Sequence, residues 1–127
     1  MLLLDTSFLV DYEREVRTNQ AGPATRLLKA RWKEPAAISI ISLGEFAEGF
    51  VEAPENIGRF IGKFAILQLS HAIALKMAAV QNAACKNGGR LGENDAWIAA
   101  TAMFYRAELI GREGAFSRVP RLKYTAH

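Results

Sequence analysis

The chain has 127 residues, 50% of them hydrophobic and 23% charged, with a formal net charge of +3 at pH 7. That is the size of one ordinary domain, large enough to bury a core without disulfides or a structural metal. The single cysteine, Cys85, excludes an internal disulfide, and its helix-like setting, AAVQNAACKNG, reads as a small buried hydrophobe rather than a nucleophile. No apolar run approaches the roughly 18 residues of a membrane span and MLLLD is no secretion signal, so the expectation is a soluble, cytoplasmic protein. The basic excess is compatible with a polyanionic partner without identifying one.

Met1 to Leu4 is apolar and ends in Asp5-Thr6-Ser7, the pattern of a short buried strand feeding a helix. Phe8, Leu9, Tyr12 and Val16 recur at helical spacing. After Gly22-Pro23 a second amphipathic stretch carries Leu27, Leu28 and Trp32 beside Arg26, Lys29, Arg31 and Lys33, which predicts a helical hairpin. Ala36 to Ile41 predicts a second strand, and Ser42 opens a helix through Phe46 and Phe50 that ends before Pro54. Ile57, Phe60, Ile61 and Phe64 predict another helix, Ala65 to Leu69 a third strand, and Ser70 to Lys86 a long Ala-rich helix stopped by Gly88-Gly89. Ala96 to Ala107 is apolar nearly all round, the mark of a central buried helix. Leu109-Ile110 reads as a short strand and Leu122 to Tyr124 as an edge strand. Strands alternating with helices imply an α/β fold, a mostly parallel sheet with helices on both faces. With no linker, repeat or low-complexity stretch, residues 1–127 read as a single domain.

Open α/β sheets place their sites beyond the carboxyl ends of the strands. Four acids fall at such turns: Asp5 after the first strand, Glu45 in the first turn after the second, Asp95 opening the buried helix and Glu113 after the last strand. Each also has a plain structural reading. Asp5 and Asn94-Asp95 suit helix caps, Ser42-Leu43-Gly44-Glu45 matches a capping box, and Glu113 suits solvent. As a set they are more informative, because gathered carboxylates repel one another unless a cation neutralises them. An all-oxygen set suits Mg²⁺ or Mn²⁺, ions whose shells are usually completed by water and substrate phosphate. A G-x-G-x-x-G or P-loop pattern is missing from the first strand-to-helix turn, which argues against a nucleotide-binding or redox domain.

The segments LLLDTSFLVDY, ISIISLGEFAEGF and LGENDAWIAATA resemble, in order and spacing, those of the PIN-domain ribonucleases, most of all the VapC-type toxins of VapBC toxin–antitoxin pairs. The resemblance runs from Asp5 through LIGREGAFSRVPRL. It implies a PIN-like fold in which Asp5, Glu45 and Asp95 are the principal metal-binding acids, Glu113 the fourth, and Thr6 and Ser7 supporting residues. It implies hydrolysis of RNA phosphodiesters by a Mg²⁺- or Mn²⁺-dependent endoribonuclease, the toxin of a type II pair, acting as a homodimer and inhibited by a VapB-type antitoxin. Leu27, Leu28, Trp32 and Phe46 are the expected apolar contacts of the antitoxin groove, with core packing as their plain alternative. Arg112 is the first candidate for a substrate phosphate, with Arg14, Arg118 and Arg121 behind it. Trp32 and Trp97 read as packing residues rather than base-stacking platforms, His71 as a helix opener, and His127 as a terminal residue without a role. The sequence departs from the family pattern at Gly111, where a hydroxyl residue is usual, and at Ala115, which replaces a later acid. These departures motivate the alternative, a catalytically degraded PIN module that binds RNA or a protein partner without cleavage.

Overall fold

The computed structural model describes residues 1–50 and 53–127. Five strands form one wholly parallel sheet in the order β3-β2-β1-β4-β5: β1 (Leu2–Leu4), β2 (Ala36–Ser39), β3 (Ala65–Leu67), β4 (Glu108–Gly111) and β5 (Tyr124–Ala126). Among the described residues six α-helices join them, namely α1 (Thr6–Arg17), α2 (Pro23–Ala30), α3 (Ile40–Ala47), α4 (Pro54–Ile61), α5 (His71–Lys86) and α6 (Glu93–Phe104), with a 3₁₀ turn over Gly114–Arg118 between β4 and β5.

Both faces of the sheet are covered, which is why the central strands read as unbroken apolar runs rather than alternating ones. Leu2, Leu4, Ile38 and Ile110 point into one core with Phe8, Leu9, Ala24, Phe46 and Ile61 from α1 to α4. Leu3, Ala37 and Leu109 point the other way, into a core built on α5 and α6 with Ile73, Val80, Ala84, Ile98 and Ala99. The α6 helix is buried on nearly all sides, as its composition predicts.

The helical hairpin forms, held by a device with no local signature. Glu15 is buried near the end of α1, and its carboxylate accepts from the backbone N–H groups of Gly22 (2.6 Å), Thr25 (2.9 Å) and Ala24 (3.2 Å), capping α2 from another helix. Burial pushes this carboxyl up, but the donors of Thr25, Gly22 and Ala24 outweigh it and hold it below its ordinary value. Across the sheet, the Arg31 guanidinium, with Thr125 and Lys123, draws Glu108 down to about 2.

Several expectations are corrected. The second strand stops at Ser39, whose hydroxyl accepts from the Ile41 N–H (3.1 Å) and caps α3, so Ser42 is a buried helix residue rather than the start of a capping box. Glu45 accordingly lies in the second turn of α3. The last long helix begins at Glu93 with Gly92 at its cap, so Asn94 and Asp95 lie within its first turn rather than capping it. The third strand ends at Leu67 and the edge strand runs over Tyr124–Ala126. Cys85 is exposed: the inward face of α5 is set by Ile73, Val80, Gln81 and Ala84, and a residue one step beyond Ala84 is rotated away from it. Trp32 lies past the end of α2 and is 74% exposed, not packed. The stretch expected to carry the third helix towards Pro54 becomes a 3₁₀ turn over Glu48–Phe50, and its continuation across 51 and 52 falls outside the described residues. No described helix is long and apolar enough to cross a membrane.

Candidate active site

From β1 the chain winds to β2 and β3 on one side, then returns to lay β4 and β5 on the other. The order therefore reverses between β1 and β4, and a crevice opens at their carboxyl ends. Asp5 leaves β1 there with its N–H on the Ile110 carbonyl (2.9 Å). Gly111 ends β4 directly beside it: a Cβ on Gly111 would stand 2.9 Å from the Asp5 Cβ and 3.1 Å from the Ser7 hydroxyl. This position takes glycine because Asp5 and Ser7 already fill the space a side chain would need.

The hydroxyls of the Asp5-Thr6-Ser7 turn are each assigned to an acid. Ser7 Oγ donates to Asp5 Oδ2 (2.8 Å) and accepts from the Arg112 N–H (3.1 Å), tying the exit of β1 to that of β4. Thr6 Oγ1 donates to Glu45 Oε1 (2.7 Å), fixing the α3 acid against the same turn. Glu45 and Asp95, with Gly92, Glu93 and Asn94, line an open cleft of about 360 Å³.

Electrostatics brings the four acids into one group. Asp95 is pushed up to about 6, first by burial and then by the negative charges of Asp5, Glu113 and Glu45. Burial also pushes Asp5 up, against the opposing hydrogen bonds of Ser7 and the backbone, with Glu45 adding repulsion. Asp5 Oδ1 is buried with no hydrogen-bond partner. An unpaired buried carboxylate oxygen on an acid that shares its field with Glu45 and Asp95 is costly unless a cation is bound. Among the described residues no three His, Cys, Asp or Glu side chains close into a ready-made metal cage. Mg²⁺ does not require one, since it commonly binds through one or two carboxylates and completes its octahedron with water and phosphate. The donor set therefore fits such an ion, with Asp5 and Asp95 as the acids whose state it would most relieve.

The remaining sequence candidates divide. The Arg112 guanidinium is half exposed and pairs with Asp11 Oδ1 (3.4 Å), which Arg14 also approaches (3.1 Å). Arg118 turns to the loop before α6, donating to the Arg90 carbonyl (3.3 Å), and Arg121 lines a groove with Lys76 and Met103. Neither is brought to the acids by these contacts. Trp97 packs against the core as expected, and Leu27 and Leu28 are partly buried, whereas Phe46 is a core residue with no surface to offer a groove. Ala115 packs partly buried against the α5–α6 core.

Two features had no signal in the sequence. The Tyr124 hydroxyl is buried without a partner, and burial, with the charges of Asp5 and Glu113, pushes it up. His127 is not idle: its ring is buried and Nε2 lies 2.8 Å from Asp11 Oδ2.

The PIN domain family profile matches residues 2–122. The chain belongs to the PIN-domain family. No curated protein matches it. Solved PIN-like structures do. The toxin–antitoxin complex from Klebsiella pneumoniae contains a chain 27% identical, with a TM-score of 0.78 over 98% of this chain and 96% of that one. A chain of VapBC2 from Rickettsia felis, bound to a DNA fragment from the promoter, is 22% identical with a TM-score of 0.81, covering 99% and 98%. One of VapBC-1 from nontypeable Haemophilus influenzae is 23% identical with a TM-score of 0.73, covering 98% and 96%. The fold expected from the resemblance is thus the fold observed, and this PIN domain is built like chains found in toxin–antitoxin complexes.

Proposed function

We propose that this PIN domain is a divalent-metal-dependent endoribonuclease, the toxin of a type II toxin–antitoxin pair. The observation that carries the reading is that Asp5, Glu45 and Glu113, from three separate segments around the reversal of the strand order, all add their charge to the burial that holds Asp95 up at about 6. Asp5 and Asp95 would hold Mg²⁺ or Mn²⁺, with Glu45 and Glu113 completing the negative field. When bound, the ion supplies Lewis-acid stabilisation of the charge that develops on the phosphoryl oxygens.

The chain's own groups do the rest. Ser7 keeps Asp5 Oδ2 occupied, so that Oδ1 is the oxygen left to face a cation. Thr6 holds Glu45 in one rotamer, and the open cleft beside Asp95 admits a polymer backbone. Arg112 is the cation placed to meet a phosphate, since phosphate contacts position a nucleic acid while base contacts specify it. The glycine at 111 fits the packing of Asp5 and Ser7, which favours a working site over the degraded binding module.

The partners follow the same chemistry. A VapB-type antitoxin that inserts an arginine would satisfy the acids in place of the metal, because a guanidinium pairs bidentately with carboxylates. The protein acts in the cytoplasm as a homodimer. The test is incubation of the purified protein with a pool of structured RNAs in Mg²⁺ or Mn²⁺. Discrete cleavage products that vanish with chelator are expected; RNA that is bound but left intact with metal present would favour the non-cleaving module.

A further inference from the structure

Asp11 stands one helical turn beyond Ser7 on α1 and is almost fully buried. A buried carboxylate is strongly disfavoured unless its oxygens are paired, and the partners of Asp11 come from two places distant in sequence. His127 Nε2 meets Oδ2 at 2.8 Å, with the imidazole edge-on to Phe8, ring centroids 4.8 Å apart. Arg112 Nη1 approaches Oδ1 to 3.4 Å, alongside Arg14 Nη2 at 3.1 Å. The backbone closes the circuit, since the His127 N–H donates to the Gly111 carbonyl (3.1 Å) and the Arg112 N–H to Ser7 Oγ (3.1 Å). The segment that leaves β4 and carries Glu113 into the acid cluster is therefore fastened on both sides, and each fastening leads back to α1.

We infer that Asp11 is a positioning residue for the reaction, holding the Arg112 guanidinium at the mouth of the site for an RNA phosphate and, through His127, fixing the β4 exit that presents Glu113. The inference rests on the nuclease reading above. Arg112 keeps about half its side chain in solvent (54%) while its guanidinium is drawn to Asp11 Oδ1 by charge, an ion pair at 3.4 Å that leaves this buried oxygen without a hydrogen bond, the arrangement of a cation pre-oriented for a ligand. A long free side chain would lose its rotamer freedom on binding, and the anchor removes part of that cost beforehand. Asp11 itself touches neither metal nor substrate.

The test is a double-mutant cycle on RNA cleavage in Mn²⁺, with hydrogen exchange on the same proteins. Arg112→Ala should raise KM about fivefold with kcat nearly unchanged, and Asp11→Asn should raise KM by a similar factor. The double variant should show the KM of either single variant, because Asp11 acts on substrate through Arg112. His127→Phe keeps the packing on Phe8 but removes Nε2, so its effect should fall on kcat. In both Asp11→Asn and His127→Phe the bonded amides of the two fastenings, those of Arg112 and of residue 127, should exchange roughly tenfold faster while those of β1 and β2 do not. A role confined to stability would lower the melting temperature and leave KM at 25 °C unchanged, which overturns the inference. Additive effects of Asp11→Asn and Arg112→Ala on KM overturn it too. If Asp11→Asn does not fold, the exchange and kcat of His127→Phe decide alone, and wild-type values for both refute the circuit. A wild-type protein that cuts no RNA in metal refutes the nuclease reading, and the positioning role with it.

Discussion

Asp95→Asn is expected to make the metal-free protein more stable while disabling it. Shifting a carboxyl from 3.8 to about 6 makes its charged form about 3 kcal/mol less favourable in the folded than in the unfolded chain. Asp95 is only half-buried, so part of that is lost to solvent screening. Asparagine removes the charge at nearly constant shape, although it forfeits the interaction of an acid with the first turn of α6, about 0.3–1 kcal/mol. The balance is a gain of about 1–2 kcal/mol at pH 7, or roughly 3–10 °C in melting temperature for a chain of this size. The sign follows from linkage. A group whose folded pKa is raised binds its proton more tightly in the native state, so its contribution falls as pH rises from about 4 to about 6. The stability difference between variant and wild type should therefore be near zero at pH 4, open through that window and level off above it. Chemical denaturation in chelator at a series of pH values measures this directly. Saturating Mn²⁺ should close or reverse the gap at pH 7, because the ion stabilises only the protein that binds it. An Asp95→Asn protein that is no more stable than wild type at pH 7 in chelator, or a gap that does not change with pH, would refute the claim that burial and the neighbouring acids together raise Asp95.

Three further outcomes follow from the structure. Glu108→Gln should destabilise the fold by about 2 kcal/mol at pH 7, less than the full effect because Arg31 keeps Glu34 as a partner. Glu108 titrates near 2 when folded and near 4.5 when unfolded, so its contribution is present above about pH 4.5 and is lost as pH falls towards 2; acid titration of the two proteins checks it. Glu15→Gln removes one of two carboxylate acceptors from three backbone donors and should cost about 1–3 kcal/mol, read by urea denaturation, with α2 losing amide protection first. Gly111→Ser brings a Cβ against Asp5 and Ser7, so one of them must move; Mn²⁺ affinity should fall about tenfold by calorimetry, whereas wild-type affinity would show that the Asp5–Ser7 geometry is not needed.

The parts of the molecule that local chemistry determines were legible in the sequence. Met1 to Leu4, Ala36 to Ile41 and Leu109-Ile110 read as strands, and β1, β2 and β4 lie within or around them, because burial on both faces leaves the central strands largely apolar. Asp5, Glu45, Asp95 and Glu113 stood out because each follows a strand or opens a helix. Boundaries moved where a helix opened earlier than its expected cap, as α3 does behind the Ser39 hydroxyl and α6 does after Gly92, which offers no side-chain cap. Exposure was misjudged at Cys85 and Trp32, where residue type suggested burial but the helix face and helix end decided otherwise. What the sequence does not disclose is pairing across long separations. Asp11 with His127, Arg31 with Glu108 and the hydroxyl of Tyr124 near Asp5 exist only because β4 and β5 are laid beside β1. The glycine at 111, which in sequence looks like a missing hydroxyl, is explained by the Ser7 and Asp5 atoms that fill the space its side chain would need.

If the four acids form one divalent-metal site that cuts RNA, metal binding and cleavage stand or fall together. A single Mn²⁺ titration, followed by calorimetry for bound metal and by gel for cleaved RNA, on the wild type and on Asp5→Asn, tests it most directly. The account predicts saturable binding by the wild type, cleavage rising with the same midpoint, and joint loss of both in Asp5→Asn while the variant remains folded. Cleavage that persists in Asp5→Asn, or metal that binds the two proteins equally, would contradict it.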